Sequence, residues 1–132
     1  MPTVTGELGD KPTIEIPATD PPSELVVEVL TKGDGEILKA GDTVDAHYVG
    51  VVWRDGSQFD ASWDSGGPAT FPVGVGSLIQ GWDEGLVGLP YGTRALLVVP
   101  PDKGYGSRGN AAAGIKGTDT LVFVVDLVGK GY

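Results

Sequence analysis

Short stretches of alternating hydrophobic and polar residues run along most of this chain, and they predict β-strands. Valine and other β-branched or aromatic residues, which favour strands, are frequent in these stretches. Turns that contain glycine or proline separate them. The predicted strands are Glu24–Thr31, Thr43–Trp53, a short returning segment at Phe59 and Asp60, Ala69–Val73, Thr93–Val99 and Thr120–Val128.

The longest predicted strand, 43–53, has a clear alternation that assigns its side chains to two faces. One face carries Val44, Ala46 and Tyr48, whereas His47 lies on the opposite face. His47 and Tyr48 are neighbours in the sequence, but we expect their side chains to point to opposite faces of the sheet.

One stretch, 75–86, has the spacing of a helix instead. Its apolar residues fall on one broad helical face and are Leu78, Ile79, Trp82 and Leu86. Ser77 is the predicted N-cap, because its hydroxyl can accept a hydrogen bond from a free amide of the first turn. Gly81 and Gly85 weaken this helix by about 1 kcal/mol each relative to alanine, and we expect them to allow close approach to a sheet. Since parallel crossovers need more helices, the pattern predicts an α+β fold with an antiparallel sheet over a single helix.

The N-terminal part of the chain differs from the rest in composition. It contains five of the ten prolines, and most of its charges are acidic. We predict an extended or disordered proline-rich leader over 1–23 and one folded domain over 24–132. Ile14 and Ile16 alternate with polar residues and leave a short edge strand open as an alternative to a solvated tail.

Composition narrows the classes of function. The formal charge of −9 disfavours a nucleic-acid backbone as partner. The chain has no cysteine, which excludes disulfides and thiol chemistry and suits the cytoplasm. The first residues lack the basic and apolar regions of a signal peptide, and no apolar run approaches membrane-spanning length. We therefore expect a cytoplasmic monomer that uses neither nucleic acid nor membrane.

Six motifs follow one another in a fixed order along the chain. They are His47–Gly50, Asp55–Gly56, Phe59–Ser62, Leu78–Gly85, Pro101–Gly106 and Thr120–Leu127. Together they resemble the FK506-binding-protein (FKBP) family of peptidyl-prolyl cis–trans isomerases, and most of all its small single-domain bacterial members. The resemblance extends roughly from residue 25 to residue 128. It implies a curved antiparallel sheet wrapped around one short helix, in agreement with the pattern of residues.

The resemblance also implies an apolar pocket with assigned residues. The catalytic positions match Tyr48, Phe59, Asp60, Ile79, Trp82, Tyr105 and Phe123, and the substrate-binding positions match Leu78, Ile115 and Ala69. In this assignment Trp82 is the floor beneath the proline ring, and Asp60 orients polar groups at the rim. The Ile79 amide and the Tyr105 hydroxyl donate hydrogen bonds to substrate carbonyls.

The implied reaction needs no nucleophile, metal or cofactor. Resonance in the C–N bond gives a peptide bond a rotational barrier of about 18–20 kcal/mol. Water stabilises the planar, charge-separated amide better than the twisted one, so an apolar pocket that accepts the twisted form lowers the barrier. Proline is the suitable target because its cis form lies only about 0.5–1 kcal/mol above trans. The expected partners are proline-containing polypeptides, and FK506- or rapamycin-type macrolides are expected ligands.

The sequence departs from the family pattern at two places near the pocket. Ser65 stands where the family often has a basic residue, five positions after Asp60, so this aspartate lacks its usual ion-pair partner. Ala69 occupies an aromatic wall position, which predicts a more open pocket. These differences bear on macrolide affinity and substrate preference.

Other interpretations of the same residues remain to be weighed. The segment 104–109 matches G-x-G-x-x-G, but it follows two prolines and lacks a helical pattern behind it, which disfavours a dinucleotide site. His47, the single histidine, would have to serve any Ser–His–Asp triad or metal site, and it lies on the face opposite Tyr48. The pocket aromatics could instead be ordinary core residues. A binding module that docks partners through the same pocket with little catalysis is the main alternative function.

Overall fold

The computed structural model describes residues 2–6, 10–65, 67–76, 78–106, 109–110 and 114–130, with the side chain of residue 65 left out. Its elements are β1 (Thr3–Thr5), β2 (Thr13–Glu15), β3 (Val26–Thr31), β4 (Thr43–Val52), β5 (Gln58–Ala61), β6 (Ala69–Pro72), α1 (Gln80–Leu86), β7 (Arg94–Val99) and β8 (Leu121–Lys130). Two 3-10 helices lie at Ser62–Ser65 and Pro101–Lys103. Among the described residues, no helix has the length and apolar character needed to cross a membrane.

Six strands form one antiparallel sheet. Their order is β3-β7-β8-β4-β5. Strand β6 pairs with the same side of β4 as β5 does, but with its N-terminal half. The two ten-residue strands β4 and β8 form its centre and pair from Val44–Lys130 to Val52–Leu121. Together with α1, the one α-helix among the residues that the structure describes, this sheet confirms the predicted α+β fold.

Helix α1 packs on one face of the sheet and closes the main core. The buried residues Trp82 and Leu86 face this core together with sheet residues such as Leu97 and Phe123. A Cβ atom on Gly81 would lie 2.7 Å from Cγ1 of Val99. The helix can approach strand β7 this closely because Gly81 has no side chain, as the sequence predicted.

The start of α1 differs from the predicted N-cap. The helix begins at Gln80 with Ile79 at the cap position, and no side-chain hydrogen bond caps it. Ser77 lies outside the described residues. The carboxylate of Asp83 accepts hydrogen bonds from the amides of Gly74 and Gly76, at 2.8 and 3.0 Å. An aspartate inside the helix therefore fixes the loop that enters it.

The opposite face of the sheet carries a second core, which explains why every residue of β7 is buried. Its buried residues are Val49, Val51, Trp53, Ala61, Leu96, Val98, Val122 and Val124. Three apolar residues of the predicted leader pack against them and are Val4, Ile14 and Ile16. The indole Nε1 of Trp53 also donates a hydrogen bond to the carbonyl of Thr19, at 2.9 Å.

Strands β1 and β2 of the leader form a two-stranded antiparallel sheet of their own. A buried ion pair lies beneath it, in which Arg94 Nε donates to Asp126 Oδ1 at 2.6 Å. The same guanidinium donates to the backbone carbonyls of Gly6 and Asp10. The described part of the leader is thus docked, because its apolar residues cover an apolar sheet face. The division of the chain at residues 23 and 24 stays a prediction.

Candidate functional site

A cavity of about 290 Å³ opens between α1 and the sheet face that it covers. It is lined by Tyr48, Phe59, Asp60, Phe71, Leu78, Ile79, Trp82, Tyr105 and Phe123. The structure therefore brings together eight of the ten residues assigned from the motifs. We call this cavity the pocket; the roles of its residues stay predictions.

Trp82 lies at the bottom of the pocket with only 5% of its surface exposed. The rings of Tyr48, Phe71 and Phe123 meet the indole edge to face, with centroid distances of 5.2, 5.2 and 5.3 Å. Phe59 packs against Phe123 in the same manner at 5.5 Å. Edge-to-face contacts of this kind hold each ring in a defined orientation. These rings form an apolar floor and walls, and a flat aliphatic ring can enter the cavity between them.

Space for two of these rings comes from Gly50, at the end of the first motif. A Cβ atom there would lie 2.6 Å from Cζ of Phe59 and 2.9 Å from Cε1 of Phe123. Any side chain at this position would displace both rings. Gly50 was part of a recognised motif, but no structural role for it was predicted from the sequence.

Phe71 is a pocket residue that the sequence analysis missed, whereas the predicted residue Ala69 does not line the pocket. Both lie on β6 and are separated by two positions, so their side chains point to the same face. The methyl group of Ala69 is too short to reach the pocket, while the Phe71 ring contacts Trp82. The alternation of β6 was the signal that could have identified Phe71. The pocket keeps an aromatic wall here despite the alanine.

Ile115 was also predicted to bind substrate, and the structure places it elsewhere. Its backbone forms a bridge with Asn110, with hydrogen bonds of 2.8 and 2.9 Å in the two directions. Its side chain is buried in the main core and does not line the pocket. The bridge holds the two ends of this loop together and directs the isoleucine inward. Residues 111–113 of the same loop lie outside the described residues.

Two polar side chains meet at the rim of the pocket. The hydroxyl of Tyr48 donates a hydrogen bond to Oδ2 of Asp60, at 2.6 Å. Burial, followed by this hydrogen bond, raises the pKa of Tyr48 well above its ordinary value, so the phenol stays protonated and remains a donor. Within the described part of the chain no cation pairs with Asp60. The tyrosine thus holds the carboxylate that the sequence left without an ion-pair partner.

Two hydrogen-bond donors border the apolar floor. Ile79 lies immediately before the first turn of α1, and among the described residues its amide has no backbone acceptor. Tyr105 lines the pocket with 39% of its surface exposed, so its hydroxyl can be reached by a ligand. A ligand with a buried ring and flanking carbonyl oxygens fits this combination of groups.

The geometry disfavours a Ser–His–Asp triad that uses His47. Its ring stacks on Trp63 at a centroid distance of 4.6 Å, and its Nδ1 lies 2.9 Å from Oγ of Ser62. Ser62 is 4% exposed, and its hydroxyl already accepts a hydrogen bond from the amide of Tyr48. A buried hydroxyl with this partner cannot reach a substrate. Neither His47 nor Ser62 lines the pocket.

Comparison with known proteins gives one consistent result. Residues 35–128 match the family model of the FKBP-type peptidyl-prolyl cis-trans isomerases. An FK506-binding protein of Streptomyces anulatus is 43% identical over 119 residues, which are 90% of this chain and 96% of that protein. A probable FK506-binding protein of Corynebacterium glutamicum is 40% identical over 119 residues, 90% of this chain and 98% of that protein. The crystal structure of AtFKBP13 superposes with a TM-score of 0.75 at 34% identity, covering 84% of this chain and 96% of that chain.

Proposed function

Because the chain belongs to the family of FKBP-type peptidyl-prolyl cis–trans isomerases, we propose that it catalyses rotation about Xaa-Pro peptide bonds in the pocket. The observation that carries this proposal is an open apolar cavity whose floor is the Trp82 indole and whose rim carries hydrogen-bond donors. A proline ring is apolar and nearly flat, and it fits between the indole and the aromatic walls.

The pocket lowers the rotational barrier through its environment. Uncatalysed exchange at proline takes roughly 10–100 s at room temperature. The rings of Phe59, Phe71 and Phe123 replace the water that would otherwise stabilise the planar, charge-separated amide. The twisted amide loses less solvation free energy than the planar amide on entering this environment. The transition state therefore binds more tightly than either ground state.

The polar groups position the substrate chain. The Ile79 amide holds one carbonyl of the substrate, and the Tyr105 hydroxyl holds a second. Because two carbonyls of the substrate are held, the motion that remains is rotation about the Xaa-Pro bond. Asp60, oriented by Tyr48, provides an acceptor at the rim for a donor on the substrate. One chain supplies the floor, the walls and the donors of the pocket, so the proposed reaction needs no residue from a second copy.

A second function of the same site is the binding of FK506- or rapamycin-type macrolides. It is supported by the two bacterial relatives that are described as FK506-binding proteins. Small-molecule sites usually measure about 300–1,000 Å³, and this pocket, at about 290 Å³, lies at the lower limit. A macrolide would therefore place one ring in the pocket and leave most of its surface outside. A weakly active module that docks partners in this way is the alternative to an efficient isomerase.

Exchange NMR on an Xaa-Pro peptide separates these functions. We expect substoichiometric protein to accelerate cis–trans exchange and FK506 to suppress the acceleration by competition. Binding of FK506 without any acceleration of exchange would reject the isomerase and favour the docking module. Failure of both would reject the pocket as a proline site.

A further inference from the structure

Strand β4 changes its pairing partner beside the pocket. On one of its two sides, β4 pairs first with β6, and the last pair is Ala46 with Ala69. On the same side it then pairs with β5, beginning with Val49 and Ala61. His47 and Tyr48 lie between these two stretches. The backbone of Tyr48 therefore needs another partner at the position where its side chain enters the pocket.

Ser62 supplies that partner with its side chain. Its Oγ accepts a hydrogen bond from the amide of Tyr48 at 2.7 Å and donates to the carbonyl of the same residue at 3.3 Å. The hydroxyl is also 2.9 Å from Nδ1 of His47, whose ring is fixed by stacking on Trp63. One buried hydroxyl thus takes the place of a missing strand partner for Tyr48.

The position of this serine in the chain connects it to the carboxylate at the rim. Ser62 follows Asp60 by two residues and begins the 3-10 helix that ends β5. The Ser62 hydroxyl joins the end of β5 to the backbone of Tyr48, and the hydrogen bond from the Tyr48 hydroxyl to Asp60 joins the same two segments in the pocket. Two hydrogen bonds, one from the Tyr48 amide to Ser62 and one from the Tyr48 hydroxyl to Asp60, therefore fix the position of Tyr48 relative to Asp60.

We propose that Ser62 is a positioning residue for the isomerase reaction, which sets the Tyr48–Asp60 pair by holding the Tyr48 backbone. It touches no substrate, and it acts only through this pair. The inference rests on the proposed function of the pocket. Its structural part, the coupling of Ser62 to the Tyr48–Asp60 hydrogen bond, can be measured without any substrate.

The first test is the pKa of the Tyr48 phenol, measured by NMR on protein with labelled tyrosine rings. In the Ser62→Ala variant we expect this pKa to fall from its raised value towards 10.0, the ordinary value, because the hydrogen bond to Asp60 loosens. The Ser62→Thr variant keeps the hydroxyl and should restore the raised pKa. Ser57→Ala, the same change in the β4–β5 turn, should leave it unchanged. A Tyr48 pKa in Ser62→Ala that is the same as in the wild type would overturn the proposal even if the wild type is an active isomerase.

The second test is a double-mutant cycle on kcat/KM with Tyr48→Phe, which removes the hydroxyl that donates to Asp60. We expect Ser62→Ala to lower kcat/KM about five- to tenfold in the wild-type background, comparable to losing one hydrogen bond. In the Tyr48→Phe background the same change should cost less than about twofold, because the Tyr48–Asp60 hydrogen bond is already absent. Equal losses in both backgrounds would contradict a positioning role. If Ser62→Ala does not fold, Ser62→Cys, a weak donor of similar size, replaces it in both tests with the same expected results.

Discussion

Replacing Trp82 with leucine removes the floor of the pocket and leaves its walls. The indole has 5% exposure and three edge-to-face partners, each contact being worth about 0.5–1.5 kcal/mol. Leucine refills part of the space, so we expect the free energy of unfolding to fall by roughly 2–3 kcal/mol. Among the described residues the Trp82 Nε1 has no hydrogen-bond partner, so no such bond is lost.

The effect of this substitution on activity follows from the contact with the proline ring. An indole that covers roughly 60 Å² of that ring contributes about 1.5 kcal/mol at about 25 cal/mol per Å². We therefore expect kcat/KM for an Xaa-Pro peptide to fall about tenfold or more. The assay is catalysed exchange at a temperature where unfolding curves show the variant to be fully folded.

Trp53→Leu is the matched control for this experiment. Trp53 is also buried, but it belongs to the second core on the other face of the sheet. Its replacement should cost a comparable free energy of unfolding and leave kcat/KM unchanged within about twofold. Equal activity in Trp82→Leu and Trp53→Leu would refute the assignment of Trp82 as the floor.

Three further predictions concern the wall, the rim and the leader. Phe71→Ala should raise KM several-fold in the exchange assay, because it removes the wall that Ala69 does not supply; an unchanged KM would argue against this wall. The raised pKa of Tyr48 adds stability that is complete below about pH 10 and is lost as the pH rises through the folded value. Urea unfolding of Tyr48→Phe should lack this alkaline loss, and an identical pH dependence would contradict the assignment. Ile14→Asp should destabilise the fold by about 1–3 kcal/mol in thermal unfolding, whereas Thr13→Asp, on the exposed side of β2, should change it little; equal effects would show that the leader does not dock.

Much of the fold was predictable because the strands alternate clearly. The alternation of 43–53 placed Tyr48 and His47 on opposite faces, and in the structure one lines the pocket while the other stacks on Trp63. The single helix and the antiparallel sheet followed from the spacing of apolar residues. Local patterns of this kind report which side of an element is buried, and they are independent of tertiary detail.

What the sequence did not predict depends on contacts between distant segments. The docking of the leader requires an apolar outer sheet face and the carbonyl partners of the buried Arg94, and neither is visible in a proline-rich stretch. No side chain caps the start of α1, and Asp83 inside the helix bonds the preceding loop instead, so a search for a capping serine did not find where the helix begins. Ile115 turned inward through a bridge to Asn110 that no local pattern indicates.

The most direct test of the central claim is the position of a bound proline ring. Transferred NOE measurements on a short Xaa-Pro peptide with the wild-type protein should give contacts between the proline ring protons and the indole protons of Trp82. The same peptide should give no contacts to Trp53. Catalysed exchange without any NOE between the proline ring and Trp82 would contradict the account.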